Sequence, residues 1–187
     1  DNEKSRIIVA TFASNVDRVQ QVINSAERFG RKVVVEGRSM VNVISTATEL
    51  GYLNVPENII IDMEEMKNYP SEKLVLITTG SQGEAMAALS RMAANIHRKV
   101  SIEPGDTVIF SSRPIPGNEK SVSKVINELA EKGAKVIVQD THVSGHASQE
   151  DIKLIYTLTK PKYAIPVHGE YQHLKYHAEL AQELGIL

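Results

Sequence analysis

Cysteine is absent from the 187 residues of the sequence. Its absence excludes a disulfide framework and a thiolate metal site, and it leads us to expect a reducing compartment, the cytoplasm. No apolar run reaches the roughly 18 residues that a membrane span needs, and no stretch has the pattern of a secretory signal peptide. The first residue is not methionine, so we expect the chain to be part of a longer protein.

An excess of charge of either sign is also missing. The sequence has 21 Lys and Arg against 23 Asp and Glu, which gives a net charge of −2 at pH 7. A nucleic-acid partner would therefore be held at a local site and not by an overall positive field. Hydrophobic residues make up 42% and charged residues 24% of the sequence, as expected for a globular domain with a real core.

What is present is an alternation of β-branched runs with helical patterns. The predicted strands cover residues 5–12, 32–37, 58–61, 73–80, 106–112, 134–140 and 163–169. The predicted helices cover residues 15–30, 39–51, 84–97, 120–133, 148–159 and 170–185. This order predicts an α/β fold, Rossmann-like, with a mostly parallel sheet and helices on both faces.

Small polar residues follow four of the predicted strands, in the sequences "TFASN" (11–15), "TTGSQGE" (78–84), "FSSRPIPGNE" (110–119) and "QDTHVSGHAS" (139–148). Ligands of such sheets bind beyond the carboxyl ends of the strands. Hydroxyls and backbone N–H groups at helix starts suit a phosphate. Ordinary helix capping, with Asn15, Ser39 and Ser148 as the caps, explains these residues about equally well.

Three of the six histidines have structural explanations. His97 precedes Arg98 and Lys99 near the end of a predicted helix, where a positive charge is favourable. His173 and His177 have a spacing that can hold zinc. No HExxH pattern surrounds them, however, so a solvated helix face is the favoured interpretation.

The stretch "DTHVSGHASQED" (140–151) places His142, Ser144 and His146 in one short loop before a predicted helix. A metal site, an anion site and a helix cap are the three possibilities. The sequence contains no His-x-His-x-Asp-His pattern, so it cannot complete a first coordination shell by itself, and anion binding is favoured. His168 ends the predicted strand "AIPVH" and is followed by Gly169, which places an imidazole at the ligand-binding edge of the sheet or marks an ordinary strand end.

Five motifs together resemble the β-CASP region of bacterial ribonuclease J. They are "VATFASNVDRVQ", "TTGSQGE", "SSRPIPGNE", "HVSGHASQED" and "PKYAIPVHGEYQHL". Each is modest alone, but their order and spacing over residues 5–187 are specific. Ribonuclease J is a metallo-β-lactamase-fold ribonuclease whose β-CASP domain is inserted into the metallo-β-lactamase domain. The resemblance implies a β-CASP domain over residues 1–160 and, over 161–187, a return into the metallo-β-lactamase domain, the rest of which is absent.

The resemblance also assigns roles to individual residues. It implies a catalytic role for His146 and a metal-ligand role for His168. It implies that two loops hold RNA, formed by Phe12, Ala13, Ser14 and Asn15, and by His142, Val143, Ser144, Gly145 and His146. The motif of residues 111–119 lies near the cleft in the family, and no contact can be assigned to it.

For the whole protein, the resemblance implies a zinc-dependent ribonuclease with 5′–3′ exonuclease and endonuclease activity in RNA maturation and mRNA decay. Two zinc ions would be bound, mostly by ligands outside this chain, and the chain alone would be inactive. The expected substrate is RNA with a 5′-monophosphate. Homo-oligomers and RNA-decay partner proteins are expected as well.

Two alternatives remain. The first is a stand-alone Rossmann-like module that binds a nucleotide or phosphate. It would need a turn such as G-x-G-x-x-G after the first strand, whereas this turn reads "ATFASN". The second is a β-CASP enzyme that acts on DNA or on mRNA 3′ ends. The sequences "SSRPIPGNE" and "HVSGHAS" favour the bacterial RNA enzyme.

Overall fold

The structure is a computed structural model that describes residues 3–138 and 147–187. The chain divides into two compact units, Asp1–His142 and Val143–Leu187. No helix among the described residues is long and apolar enough to cross a membrane.

The first unit contains one sheet whose strand order is β2-β3-β1-β4-β5. Every adjacent pair is parallel, so the predicted α/β fold is confirmed. The strands are β1 (Ile7–Ala10), β2 (Lys32–Glu36), β3 (Leu74–Thr78), β4 (Thr107–Phe110) and β5 (Lys135–Val138). The helices are α1 (Val16–Arg28), α2 (Arg38–Glu49), α3 (Ala88–Ala93) and α4 (Glu119–Glu131), with 3₁₀ turns at Met63–Asn68 and Ser71–Lys73.

Helices cover both faces of this sheet because alternate strand residues point to opposite faces. Ile8 and Ala10 of β1 belong to a core that includes residues of α3 and α4. Val9, between them, belongs to a second core with residues of α1 and α2. The β-branched side chains of the strands are thus buried on both faces, as the near-continuous apolar runs of the sequence predict.

Two of the predicted elements in the first unit are shorter than expected. The helix predicted over 84–97 is confined to Ala88–Ala93, because Ala87 has an extended backbone before it and Asn95 adopts a positive φ after it. The strand predicted over 58–61 is a single bridge between Val33 and Ile60. Asn58 has a φ of 58°, which stops the extended backbone from starting earlier.

The second unit contains α5 (Gln149–Thr159) and α6 (Tyr171–Glu183). The strand predicted over 163–169 is wrong, since those residues form no strand. The amide of Ala164 donates to the Leu187 carbonyl at 2.9 Å, and the amide of Leu187 donates to the Lys162 carbonyl at 3.2 Å. These two bonds form no strand.

The predicted helix caps are confirmed at two of three positions. The side chain of Asn15 caps α1, and Ser148 forms a capping box with Asp151 at the start of α5. Ser39 is not a cap, because α2 begins one residue earlier, at Arg38, with Gly37 in the cap position. Gly37 has a φ of 107°, and a Cβ there would lie 2.8 Å from the Thr79 Oγ1.

Candidate functional site

The carboxyl ends of β3, β1 and β4 lie side by side and carry a group of buried polar residues. Hydroxyl and amide side chains are unusual at such burial unless they bind each other or a ligand. Each of them is at most 6% exposed: Thr11, Thr78, Ser81, Gln82, Ser111 and Ser112. This group, the carboxyl-edge cluster, lies where parallel α/β sheets bind their ligands.

The loop after β1 leads into α1 and contains the first set of predicted RNA-binding residues. Phe12 and Ala13 are half-buried, whereas Ser14 and Asn15 are exposed. The Asn15 Oδ1 accepts a hydrogen bond from the Arg18 amide at 3.0 Å, which is the capping interaction. The loop therefore presents the positive end of a 13-residue helix, a favourable place for a phosphate.

Arg18 connects this helix start to the end of β4. Its Nη1 donates to the Ser111 Oγ at 2.8 Å. Since β1 and β4 are adjacent, the bond joins the helix that follows β1 to the loop that follows β4. The helices after these two strands lie on opposite faces of the sheet, because α1 contributes to one core and α4 to the other. In open α/β sheets, such a reversal marks the place beside β1 where ligands bind.

Gln82 connects the loops after β3 and β4. Its Nε2 donates to the Arg113 carbonyl at 3.0 Å and to the Ser112 Oγ at 3.3 Å. Its Oε1 accepts from the Ile115 amide at 2.7 Å and from the Asn118 Nδ2 at 3.4 Å. Both the nitrogen and the oxygen of the side-chain amide are thus hydrogen-bonded, although Gln82 is only 3% exposed.

Thr11 carries an unpaired group in this cluster. Its Oγ1 is buried and finds no hydrogen-bond partner among the residues that the structure describes. Its backbone amide donates to the Thr78 carbonyl at 3.1 Å, which fixes the residue at the end of β1. A buried hydroxyl without a partner costs free energy and commonly marks a place where a water or ligand binds.

His97 has a different role from the predicted one. It lies beyond the end of α3, and its Nε2 is 3.1 Å from the Glu36 Oε1 at the carboxyl end of β2. The Val100 amide donates to the His97 Nδ1 at 3.1 Å, so the ring proton lies on Nε2 and is donated to Glu36. His97 is therefore a buried link between β2 and the segment after α3, and not a charge at a helix end.

His168 belongs to the second unit, where it precedes α6 and is exposed. His168 has a φ of 71° and Gly169 a φ of 119°, so the backbone is left-handed at two consecutive residues. Such a conformation is uncommon outside glycine and is found mainly at turns and functional sites. His168 lies in a groove of about 950 Å³ that is also lined by His173, His177, Glu179 and Glu183.

His173 and His177, predicted to form a solvated helix face, each make a specific contact. The His173 Nδ1 accepts from the Glu170 amide at 3.1 Å and thereby helps to start α6. The Tyr156 hydroxyl lies 2.7 Å from the His177 Nε2 and joins α5 to α6. Only His173 is exposed, while His177 is partly buried, so the prediction is wrong for His177.

A complete metal site is not formed by the part of the chain that the structure describes. Within residues 3–138 and 147–187, no group of three or more His, Asp or Glu side chains could hold a metal ion. These residues therefore do not fit a whole zinc centre, which needs three or four ligands. The predicted residues of the other loop, His142, Val143, Ser144, Gly145 and His146, lie outside the described residues.

Sequence reasoning missed the residues that tie the cluster together, chiefly Arg18, Gln82 and Asn118. Arg18 lies on the polar side of an amphipathic helix, and Asn118 occupies the cap position of α4 without capping it. Each looks like an ordinary surface residue in the sequence. The signal that was available is Gln82 between Gly80 and Gly83, since a long amide flanked by glycines is typical of close backbone approach.

Comparison with known proteins assigns both parts of the chain. Residues 4–129 match the family model "Ribonuclease J, beta-CASP domain". Residues 130–186 match the model "Zn-dependent metallo-hydrolase RNA specificity domain". The second match links the chain to a zinc-dependent family, although the described residues hold no complete zinc centre.

Curated relatives agree with these models. The chain is 52% identical to Ribonuclease J 1 of Streptococcus pyogenes over 97% of its length. It is 47% identical to Ribonuclease J2 of Bacillus subtilis over 99% and 48% identical to Ribonuclease J of Thermus thermophilus over 96%. These alignments cover 33%, 34% and 32% of the three relatives, so the chain spans about a third of their length.

The β-CASP model alone covers 126 residues, from 4 to 129, which is about two-thirds of the chain. The family predicted from the sequence is thereby confirmed: the chain belongs to the ribonuclease J β-CASP family.

Proposed function

We propose that this chain is the RNA-contacting part of a zinc-dependent ribonuclease. The whole protein would have 5′–3′ exonuclease and endonuclease activity in RNA maturation and mRNA decay, and its location would be the cytoplasm. The observation that carries the proposal is the carboxyl-edge cluster at the start of α1: its Ser111 binds Arg18 of that helix, and its Thr11 carries an unpaired hydroxyl. Hydroxyls, a guanidinium and a helix start together suit a phosphate of RNA.

The proposal includes roles for two loops of this chain. Phe12, Ala13, Ser14 and Asn15 would hold the 5′-terminal nucleotide. The loop from His142 to His146 would hold the scissile phosphate, with His146 in acid–base work. Recognition of one 5′-phosphate needs only a local set of donors, which agrees with a net charge of −2.

We propose that a single residue of this chain binds zinc. His168 would supply one ligand, and the other ligands of two zinc ions would lie outside this chain. The chemistry that such a centre would supply is a metal-bound water as nucleophile and a positive charge beside the phosphate. The proposal also keeps the division into residues 1–160 and 161–187, homo-oligomers of the whole protein, and RNA-decay partner proteins.

Binding of short labelled single strands to the purified chain tests the proposal. RNA with a 5′-monophosphate should bind more tightly than the same RNA with a 5′-hydroxyl, because only the first places a dianion at the helix start. DNA of the same sequence and free mononucleotides serve as controls. Binding of mononucleotides alone would favour a stand-alone Rossmann-like nucleotide module.

A cleavage assay completes this test. The chain should not cleave 5′-monophosphorylated RNA in excess zinc, since it supplies one metal ligand where a zinc centre needs several. A chelator control detects contaminating nucleases. Cleavage that the chelator abolishes would contradict the incomplete-site interpretation.

Substitution of His168 and substitution of His146 should have different effects on the full-length protein. His168→Ala should lower both zinc content and activity, because it removes a ligand. His146→Ala should retain zinc and slow single-turnover cleavage by about 10²-fold or more, the scale of a positioned acid–base group. Loss of zinc in His146→Ala but not in His168→Ala would mean that the two roles are reversed.

A further inference from the structure

The segment after β4, from Ser111 to Glu119, enters the function proposed so far only through the serines at its start. We call it the 111–119 loop. Arg113 is exposed within it. Pro114 and Pro116 restrict the backbone on either side of Ile115, since proline fixes φ. The loop therefore places Arg113 on a backbone that has little freedom to move.

Gln82 completes this rigidity from outside the loop. It binds the loop at four points: the Ser112 hydroxyl, the Arg113 carbonyl, the Ile115 amide and the Asn118 side chain. The points lie on both sides of Arg113. An amide that satisfies both a backbone donor and a backbone acceptor fixes the loop in one arrangement.

The position of Gln82 relative to the sheet places this contact at the candidate site. Gln82 follows β3 and the 111–119 loop follows β4, and β1 lies between these two strands. The Gln82 side chain therefore joins the loops that follow the two neighbours of β1. The three loops of the carboxyl edge are held as one surface.

Neighbouring residues show that the sequence favours this link over alternatives. Asn118 is at the cap position of α4 but makes no cap hydrogen bond, and its side chain is directed to Gln82 instead. A Cβ on Gly83 would lie 2.4 Å from the Ser121 backbone. Glycine therefore lets the loop of Gln82 approach the start of α4.

We propose that Gln82 is a positioning residue for RNA, which holds the 111–119 loop so that Arg113 contacts a phosphate of the strand whose 5′ end is bound at the start of α1. The inference rests on the proposed function. The planar guanidinium of arginine suits phosphate oxygens. A loop that is already fixed loses little freedom when RNA binds, which favours affinity.

Salt dependence of RNA binding tests the proposal on the chain. Affinity for a 5′-monophosphorylated single strand is measured over a range of salt for the wild type, Gln82→Met, Arg113→Gln and the double variant. Arg113→Gln should weaken binding about tenfold, the scale of one charge-assisted hydrogen bond. It should lower the salt slope by about 0.7, the value for one phosphate contact on a single strand.

Gln82→Met should lower the same slope although it removes no charge, because methionine has a similar size but cannot hold the loop. In the double variant the slope should fall no further than in Arg113→Gln. This non-additivity is the result that a merely structural role of Gln82 would not give. Slopes that fall independently, or a Gln82→Met slope equal to that of the wild type, would overturn the proposal.

A matched control is available at Gln20. Its Nε2 donates to the Asn54 carbonyl at 2.9 Å, and its Oε1 accepts from the Asn54 amide at 2.7 Å. Gln20→Met therefore removes a similar amide link, in this case to the loop after α2. It should leave the salt slope of RNA binding unchanged.

Hydrogen exchange of the Ile115 amide reports the loop directly. Exchange should be slow in the wild type and in Arg113→Gln, and fast in Gln82→Met. If Gln82→Met does not fold, Gln82→Asn replaces it, and Arg113→Gln decides the outcome by itself, since an unchanged slope in that exposed variant overturns the proposal. Failure of the wild type to bind RNA would instead contradict the proposed function.

Discussion

Arg6 and Asp106 form a buried, two-point ion pair at the end of the sheet opposite the candidate site. The Arg6 Nε lies 3.1 Å from the Asp106 Oδ1, and the Arg6 Nη2 lies 2.5 Å from the Asp106 Oδ2. The two side chains are 7% and 3% exposed. Arg6 also donates to the Ser101 carbonyl at 2.7 Å, and Asp106 accepts from the Glu103 amide at 2.8 Å. The pair thus fastens the starts of β1 and β4.

Arg6→Met should strongly destabilise the chain, by about 3–5 kcal/mol, because it leaves the Asp106 carboxylate buried without its partner. Urea unfolding followed by circular dichroism measures the change in the free energy of unfolding. Lys124→Met is the control, since Lys124 pairs with Glu128 at 3.7 Å but is 76% exposed, and exposed pairs contribute at most about 1 kcal/mol. Equal effects of the two substitutions would contradict the assignment.

Gly83→Ala should destabilise the chain more than Gly105→Ala. The two glycines have φ values of 71° and 90°, but a Cβ on Gly83 would meet the Ser121 backbone at 2.4 Å, whereas nothing lies within 4 Å of one on Gly105. Gly105→Ala should therefore cost only the left-handed backbone, roughly 1–2 kcal/mol. Gly83→Ala should add the displacement of α4, about 1–3 kcal/mol more. Thermal or urea unfolding of both variants measures the difference, and equal costs would show that the close approach is absent.

The carboxyl group of Asp151 should titrate below its usual range. The hydrogen bond from the Ser148 side chain, followed by that from the Ser148 amide, lowers the pKa of Asp151. Its contribution to the stability of α5 is therefore present above the ordinary aspartate pKa and is lost as the pH falls through the lowered folded-state pKa. Carbon-detected NMR titration measures the midpoint.

Ser148→Ala should raise the Asp151 midpoint towards the ordinary value. Thr159→Val is the control, because the Thr159 hydroxyl binds the Ile155 carbonyl at 2.7 Å at the opposite end of α5. That variant should leave the titration of Asp151 unchanged. An Asp151 midpoint that is the same with and without Ser148 would rule out the capping box as the cause.

Removal of metal should not unfold the chain. The sheet is held by two apolar cores and by the buried Arg6–Asp106 pair, so a metal ion is not required for its packing. Thermal melts with and without a chelator should coincide. A clear drop of the melting temperature in the chelator would reveal a structural metal.

The sheet and its two helical layers were predictable from the sequence because period and composition agree there. The valine and isoleucine runs of β1, β2 and β3 favour buried parallel strands, and α1, α2 and α4 repeat apolar residues at helical spacing. The prediction failed where a single residue decides the backbone. Asn95 ends α3 by adopting a positive φ of 58°, and the apolar run of residues 163–167, which contains Pro166, forms no strand.

The candidate site was predictable only as a location. Strand ends rich in serine, threonine and glycine predicted the carboxyl-edge cluster, because hydroxyls and turns are local features of a sequence. The links across the sheet were not predictable, since Arg18 and Ser111 are 93 residues apart and Gln82 and Arg113 are 31 apart. The strand order decides which polar residues contact each other, and a local sequence pattern does not predict the strand order.

The link that Gln82 forms between the loops after β3 and β4 has a consequence for how this family can vary and be engineered. The loops after β3 and β4 are held together by hydrogen bonds of Gln82. The residues at positions 82 and 118 should therefore change together among relatives, because their side chains bind each other. A chimera that exchanges one loop without the other would bring an amide to partners that do not match it. Transplanting both loops with Gly83 would move the whole surface intact.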